Sequence, residues 1–234
     1  MKKQIIAIGG GGFGRNPTKL DLENYILKQS NSSKPNICFI PTATGDDKSY
    51  IVNFYKAFNK LNCNPVHLEL FTRTPNLNSF FNSQDVVFVG GGNTKSMLAV
   101  WNDWGLSDLL RQAYKNGIIL AGVSAGAICW FNKGITDSHE DSLKVMPCLG
   151  LFNENCCPHY DEEQERRPAL HKFLINSELA TCLAIEGGCA LHCIDDSIKQ
   201  AVSFVSKKRA YQVTVDNGVV NERAISGIDI YETS

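Results

Sequence analysis

Ser124 stands in the stretch Gly122-Val123-Ser124-Ala125-Gly126, with a glycine two residues to either side of its hydroxyl. The string means little alone, but the apolar run 118–121 precedes it and the helix-compatible run Ala127-Ile128-Cys129-Trp130-Phe131 follows. Strand, tight turn, helix is the context of a nucleophile elbow. Such a turn brings strand and helix so close that the flanking positions must be small, a demand that Gly122 and Gly126 meet. The elbow would hold the Ser124 hydroxyl exposed, with helix N-terminal N–H groups aimed at developing negative charge.

A nucleophilic serine needs an oxyanion hole, a base and a group that orients the base. Gly90-Gly91-Gly92-Asn93-Thr94 follows the apolar run 86–89 and lets the backbone approach closely. The Gly91 or Gly92 N–H, paired with that of Ala125, would hold a tetrahedral oxyanion, each donor contributing about 3–4 kcal/mol in the transition state.

Five histidines compete as the base. His67 lies inside an apolar run, His171 in a charged helical pattern, His192 in a short late strand and His139 in a polar loop. His159 ends the stretch Cys156-Cys157-Pro158-His159 just before Asp161-Glu162-Glu163. A histidine where a strand gives way to a loop matches the position of active groups in open α/β sheets. For the orienting carboxylate two positions stay open. Asp137 follows Ser124 by thirteen residues in a loop, and Glu186 closes the apolar run 181–185, with position slightly favouring Glu186.

These residues need a scaffold, and the chain supplies an alternating one. Apolar runs at 5–8, 37–40, 66–70, 86–89 and 118–121 predict strands, and the patterns at 19–29, 48–61 and 106–116 predict helices. That alternation predicts a three-layer α/β fold, a largely parallel sheet with helices on both faces. Runs at 189–194, 199–205 and 211–215, with a tight turn at Asp216-Asn217-Gly218, predict an antiparallel extension at the sheet's edge. With no repeat, low-complexity tract or linker, all 234 residues read as one domain.

Composition narrows the class. Lys plus Arg total 23 against 24 Asp plus Glu, a net charge of −1 that offers no basic footprint for nucleic acid or an anionic membrane. The longest uncharged stretch, 117–131, is too short for a membrane span. Lys2 and Lys3 before an apolar run sketch a leader peptide, but the run stops after four residues in Gly9-Gly10-Gly11-Gly12, so a first strand is expected instead. Nine cysteines, an odd number scattered through apolar segments, read as buried free thiols of a reducing cytoplasm.

Two other signals fail on their own terms. Gly9 to Gly14 satisfies G-x-G-x-x-G, but the second strand ends in Ile40-Pro41-Thr42 without the acidic residue a dinucleotide ribose requires. Cys156, Cys157, His159, His192 and Cys193 contain no C-x-x-C pair, so neither a metal nor any other cofactor is expected.

Taken in order, Ile6-Ala7-Ile8-Gly9-Gly10-Gly11, Ile40-Pro41-Thr42-Ala43, Gly91-Gly92-Asn93-Thr94, Gly122-Val123-Ser124-Ala125-Gly126-Ala127, Pro158-His159-Tyr160 and Glu186-Gly187 resemble the peptidase E and cyanophycinase family of serine peptidases. The resemblance runs along nearly the whole chain. It implies a fold like that of class I glutamine amidotransferases, Ser124 as nucleophile and His159 as base. Either Thr136-Asp137 or Glu186-Gly187 matches a carboxylate position of the family. It also implies cleavage after an N-terminal aspartyl residue, or of β-aspartyl linkages, without cofactors. Asn93 would then lie beside the substrate, and Arg166 and Arg167 are the guanidinium forks available for an aspartyl carboxylate. The chain departs from the family pattern at that end, where the segment between His159 and Arg166 is short and acidic.

The expected protein is thus a cytoplasmic serine exopeptidase whose partner is a small peptide, with the oligomeric state, homodimer included, left open. The elbow alone also permits an esterase using Ser124, Asp161 or Asp137, and His192. A catalytically silent binding protein of the same fold is the third reading.

Overall fold

The structure is a computed structural model and describes residues 2–231. The chain builds two sheets. The first uses β1 (Gln4–Ile8), β2 (Asn36–Ile40), β3 (Asn64–His67), β4 (Val86–Val89) and β5 (Ile119–Val123) in the spatial order β1-β5-β4-β2-β3, all parallel. Alternate residues of these strands feed two cores. Ile5, Ala7, Val87, Val89 and Leu120 enter one, whereas Ile6, Ile8, Val86, Phe88 and Ala121 enter the other. Burial on both faces is why β1, β4 and β5 read as unbroken apolar runs.

Helices cover both faces. Leu22 and Ile26 of α1 (Asp21–Leu27) and Phe54 and Phe58 of α2 (Lys48–Phe58) pack into the second core. Phe81 of α3 (Leu77–Asn82), Met97 and Trp101 of α4 (Thr94–Asp103) and Leu106 and Leu110 of α5 (Leu106–Lys115) pack into the first. The three-layer arrangement expected from the alternation is present, and each of the five early strands lies within three residues of its predicted bounds.

The second sheet is what the pattern did not announce. After the short helix α6 (Ala125–Ile128), the chain forms β6 (Phe131–Thr136), β7 (Lys144–Pro147), β8 (Phe152–Cys157) and, beyond α7 (Arg166–Ile175), β9 (Thr181–Ile185). It then returns to the first sheet, where β10 (Cys189–Ile194) lies antiparallel to β1 and β11 (Ser197–Ser203) antiparallel to β10. It comes back to the second sheet with the hairpin β12 (Ala210–Asp216) and β13 (Val219–Ala224), and a short β14 (Gly227–Asp229) pairs with β11. The second sheet runs β13-β12-β9-β8-β6-β7, so residues 211–215 belong to it and not to the edge of the first.

Residues 127–131 are not one helix either. Phe131 opens β6, because the carbonyls of Cys129 and Trp130 accept from Leu149, Leu151 and Phe152 instead of continuing the helical ladder. Tertiary pairing overrides local propensity there. Trp130, Phe131 and Phe152 then join Trp101 and the inner face of the first sheet in a common core, which fastens the two sheets together. The predicted tight turn is present, with Asn217 at φ 50° and Gly218 at φ 79°, the two left-handed residues of a type I′ hairpin.

All nine cysteines are unpaired thiols, and eight are buried. Burial pushes the Cys63 thiol up to about 11 and the Cys157 thiol to about 12, so neither is a ready nucleophile. Among the described residues, no helix is long and apolar enough to cross a membrane.

One buried charge stands out beneath the first loop. Glu23 of α1 is fully buried, its Oε1 accepts the Phe13 N–H at 2.7 Å, and its Oε2 has no partner among the described residues. Burial raises its pKa to about 7, against the lowering effect of backbone hydrogen bonds from its own N–H and from Phe13. A carboxyl whose folded pKa lies above its unfolded value stabilises the fold at low pH, and that contribution is lost as pH rises through about 7. Glu23→Gln keeps the acceptor and removes the ionisation. At pH 8 it is expected to gain on the order of 3 kcal/mol, seen as a melting temperature raised by several degrees. The gain should fade toward pH 5, and an equal difference at both pH values would assign the effect to packing instead.

Candidate active site

Ser124 leaves β5 with φ 57° and ψ −112°, a strained conformation for a residue with a side chain. Two contacts explain the glycines around it. A Cβ on Gly126 would stand 2.2 Å from the Val89 carbonyl oxygen, and one on Gly122 would stand 2.3 Å from that of Gly126. The Ser124 N–H donates to the Ile8 carbonyl at 3.1 Å, which ties Ser124 to the end of β1.

His159 comes from the other sheet, two residues past β8, and it too is left-handed, with φ 54°. Its N–H donates to the Gly9 carbonyl at 2.9 Å. Serine and histidine therefore hang from consecutive carbonyls of one strand end. The imidazole is buried, and its Nδ1 lies 2.6 Å from Glu162 Oε2. Facing a carboxylate, Nδ1 carries the proton and donates, which leaves Nε2 as the free acceptor. Arg15 donates from Nη1 to the other oxygen, Oε1, of the same carboxylate. Partial burial pushes the Glu162 carboxyl up, but hydrogen bonds from His159 and Arg15 outweigh it and hold its pKa below the ordinary value.

Ser124 and His159 line one cavity of about 390 Å³, together with Gly91, Tyr50, Arg15 and Asp47. That volume is at the lower end for small-molecule sites. No hydrogen bond joins the serine to the histidine, and contacts of this kind commonly tighten only in the Michaelis complex. Gly91 lies against Ser124, since a Cβ there would stand 3.2 Å from Ser124 Cβ. The amides of Gly92 and Ala125 have no backbone acceptor among the described residues, whereas the Gly91 amide is aimed at the Tyr50 hydroxyl on the cavity wall. Gly92 packs its Cα against the Ala43 carbonyl, which a Cβ on it would meet at 2.3 Å. Of the two glycines, Gly91 lines the cavity with Ser124 and Gly92 does not.

Several residues expected at the site are engaged in other ways. Glu186 accepts from the Arg209 N–H at 2.8 Å and the Tyr211 hydroxyl at 3.3 Å, bracing the start of β12 rather than the imidazole. Asp137 is exposed and lies 3.8 Å from Arg166. Neither carboxylate reaches His159. Arg166 is buried, donating to the Ile135 carbonyl at 2.8 Å and to Glu163 at 2.6 Å. Arg167 stacks on the Tyr160 ring at 4.6 Å and pairs with Glu222 at 3.2 Å. Neither arginine lines the cavity. Asn93 caps α4 by accepting the Ser96 N–H at 2.8 Å.

The esterase arrangement does not assemble either. His192 is buried in the sheet with Nδ1 against the Tyr25 hydroxyl and Nε2 against Gln4. Burial lowers its pKa to about 4. Asp161 accepts from the Gly187 N–H and from Lys208. What the sequence reading missed is Glu162, Arg15 and Asp47. Glu162 had a signal, an acidic run starting two residues after the histidine, where a single turn brings residue i+3 back onto the ring.

Comparison with known proteins places the chain in a family. The model of peptidase family S51 matches residues 5–201. An uncharacterized peptidase, YgaJ of Bacillus subtilis, is 50% identical over 212 residues, 90% of this chain and 92% of that protein. Peptidase E of Haemophilus influenzae is 30% identical over 118 residues, 46% of this chain and 54% of that protein. Among solved structures, a peptidase from an acI-B1 actinobacterium superposes with a TM-score of 0.67 at 17% identity, covering 97% of this chain and 95% of that one. A putative peptidase E from Listeria monocytogenes gives 0.63 at 18% identity, covering 85% of this chain and 97% of that one. The likeness to these two structures carries the fold, and the match along 5–201 carries the family: the chain belongs to peptidase family S51.

Proposed function

We propose that the chain is a serine exopeptidase acting on small peptides, dipeptides with an N-terminal aspartyl residue among them. The observation that carries this reading is the Glu162–His159 hydrogen bond beside a cavity that the strained Ser124 also lines. In this reading His159 Nε2 takes the Ser124 proton as Oγ attacks the scissile carbonyl. The Gly91 and Ala125 amides hold the oxyanion, and the imidazolium, balanced by Glu162, returns the proton to the leaving amine. Water, deprotonated by the same histidine, then releases the acyl group. Glu162 replaces Glu186 and Asp137 as the orienting carboxylate.

The cavity itself supports action at a chain end. It is small, and among the described residues Asp47 on its wall engages only Oδ1, on the Tyr50 N–H at 2.8 Å. The second oxygen suits a free α-ammonium group. Nine unpaired thiols support a reducing compartment, the cytoplasm.

Hydrolysis of a dipeptide panel by purified variants tests the assignment. Ser124→Ala should lose about 10⁴-fold or more in kcat. Glu162→Gln should lose about 10²–10⁴-fold, since the wrong tautomer is then favoured. Asp137→Asn should stay within about twofold. A silent Glu162→Gln alongside a dead Asp137→Asn would overturn the choice of carboxylate. Asp47→Asn should raise KM about tenfold for peptides with a free N-terminus while leaving kcat nearly intact. An equal KM change for N-acetylated peptides would exclude ammonium recognition.

A further inference from the structure

With Arg166 and Arg167 committed to the framework, the cavity holds one arginine, and it comes from the opposite end of the chain. Arg15 lies on the glycine-rich loop after β1 and lines the Ser124 cavity. It also lines a neighbouring cavity of about 260 Å³ together with Glu162, so it is shared by the linings of the two. Its position is set from beneath. Phe13 is buried in a cluster with Phe39, Phe54, Phe58 and Phe88, and its N–H is held by Glu23. Gly14 fits beside the Tyr50 ring, where a Cβ would stand 2.9 Å away. The Arg15 N–H turns back to the Gly12 carbonyl at 3.0 Å. A buried anchor two residues earlier thus delivers the guanidinium to the cavity.

The guanidinium has donors to spare. Nη1 serves Glu162, and no other hydrogen bond or ion pair engages the side chain among the described residues. The side chain is 57% exposed, facing the space in front of the serine. Arginine carries five N–H donors in a planar fork and can serve two carboxylates at once. We infer that Arg15 determines specificity for acidic substrates: the guanidinium that clamps Glu162 onto His159 also receives the substrate's carboxylate. Arg15 is a positioning residue for the triad through Glu162 and a direct contact for the substrate. The carboxyl group for which α7 offered two arginines on sequence grounds is met instead from the first loop. This inference rests on the serine peptidase reading.

Labelling of Ser124 by a fluorophosphonate separates the two claims from each other and from that reading. Initial labelling rates would be measured for the wild type, Arg15→Lys and Arg15→Ala, across pH. They would be repeated with an aspartyl dipeptide or its asparaginyl counterpart as competitor. In the wild type the aspartyl peptide should slow labelling at a concentration at least tenfold lower than the asparaginyl peptide. Arg15→Ala should abolish that preference, and Arg15→Lys should keep part of it. Without competitor, Arg15→Ala should label more slowly, with the acid limb of its rate moved to higher pH, because Glu162 loses the cation that helps keep it ionised. A residue with a merely structural role would move neither the limb nor the preference. Retained aspartyl preference in Arg15→Ala, or none in the wild type, would overturn the substrate contact. An unmoved acid limb and rate would overturn the positioning role. A wild type that does not label at all would remove the serine peptidase reading, and this inference with it.

Discussion

Two consecutive carbonyls at the end of β1 hold the whole site. Ile8 accepts from Ser124 and Gly9 from His159, so the two residues are fixed relative to one another through adjacent peptide units that meet at Gly9. The two residues come from different sheets, Ser124 from the parallel sheet at β5 and His159 from the second sheet after β8. A small relative slide of the sheets would separate them if only side-chain packing held them. Backbone hydrogen bonds to a strand buried at every position leave little room for such a slide. β1 can do this because it lies beside β5, which carries the elbow, and because Gly9 lets the chain past. A Cβ on Gly9 would stand 2.3 Å from the Glu186 carbonyl.

The same crowding shapes the surroundings of Glu162. Glu162 fits into a slot bounded by backbone, since a Cβ on Gly10 would meet its Oε2 at 2.4 Å and one on Gly187 its Cδ at 2.1 Å. Glu186 has no such access. Its backbone N–H pairs with Arg209 and its side chain follows into the β9–β12 contact. An orienting carboxylate must stay ionised while partly shielded from water, which costs free energy unless cations or donors surround it. Glu162 has both in His159 and Arg15. Exposed Asp137 has little desolvation to offset, and no ring to orient.

How much of this is legible in the sequence follows from the range of the forces involved. The elbow is local: strand, glycine, serine, glycine, helix are contiguous, so Ser124 and the roles of Gly122 and Gly126 could be read directly. The parallel strands are legible because each is buried on both faces and therefore unbroken in its apolar character. His159 could be placed at a strand end. Glu162 stands at no strand end; it meets the ring only because a left-handed residue at 159 turns the chain so that i+3 returns to it. The second sheet was hidden for a related reason. Trp130 and Phe131 are apolar enough for helix or strand, and only the returning segment 149–152 decides between them. Arg15 is a long-range case entirely, 147 residues from its partner.

The site is held at a thermodynamic cost that the fold has to offset. Ser124 and His159 both occupy left-handed conformations, each costing of order 1–3 kcal/mol. Glu23, which anchors the loop bearing Arg15, is buried with one oxygen unpartnered. These features share a neighbourhood: the elbow, the histidine turn and the glycine loop all converge on the end of β1. Strain of that size persists only where surrounding structure leaves no alternative, and here the surroundings are two full cores meeting through one sheet. The aromatic cluster around Phe13 illustrates the compensation. Phe39, Phe54, Phe58 and Phe88 bury large apolar areas directly beneath the loop, and truncating any one such ring costs about 3–5 kcal/mol. The loop that carries Arg15 is therefore stiff at its root and open at its tip.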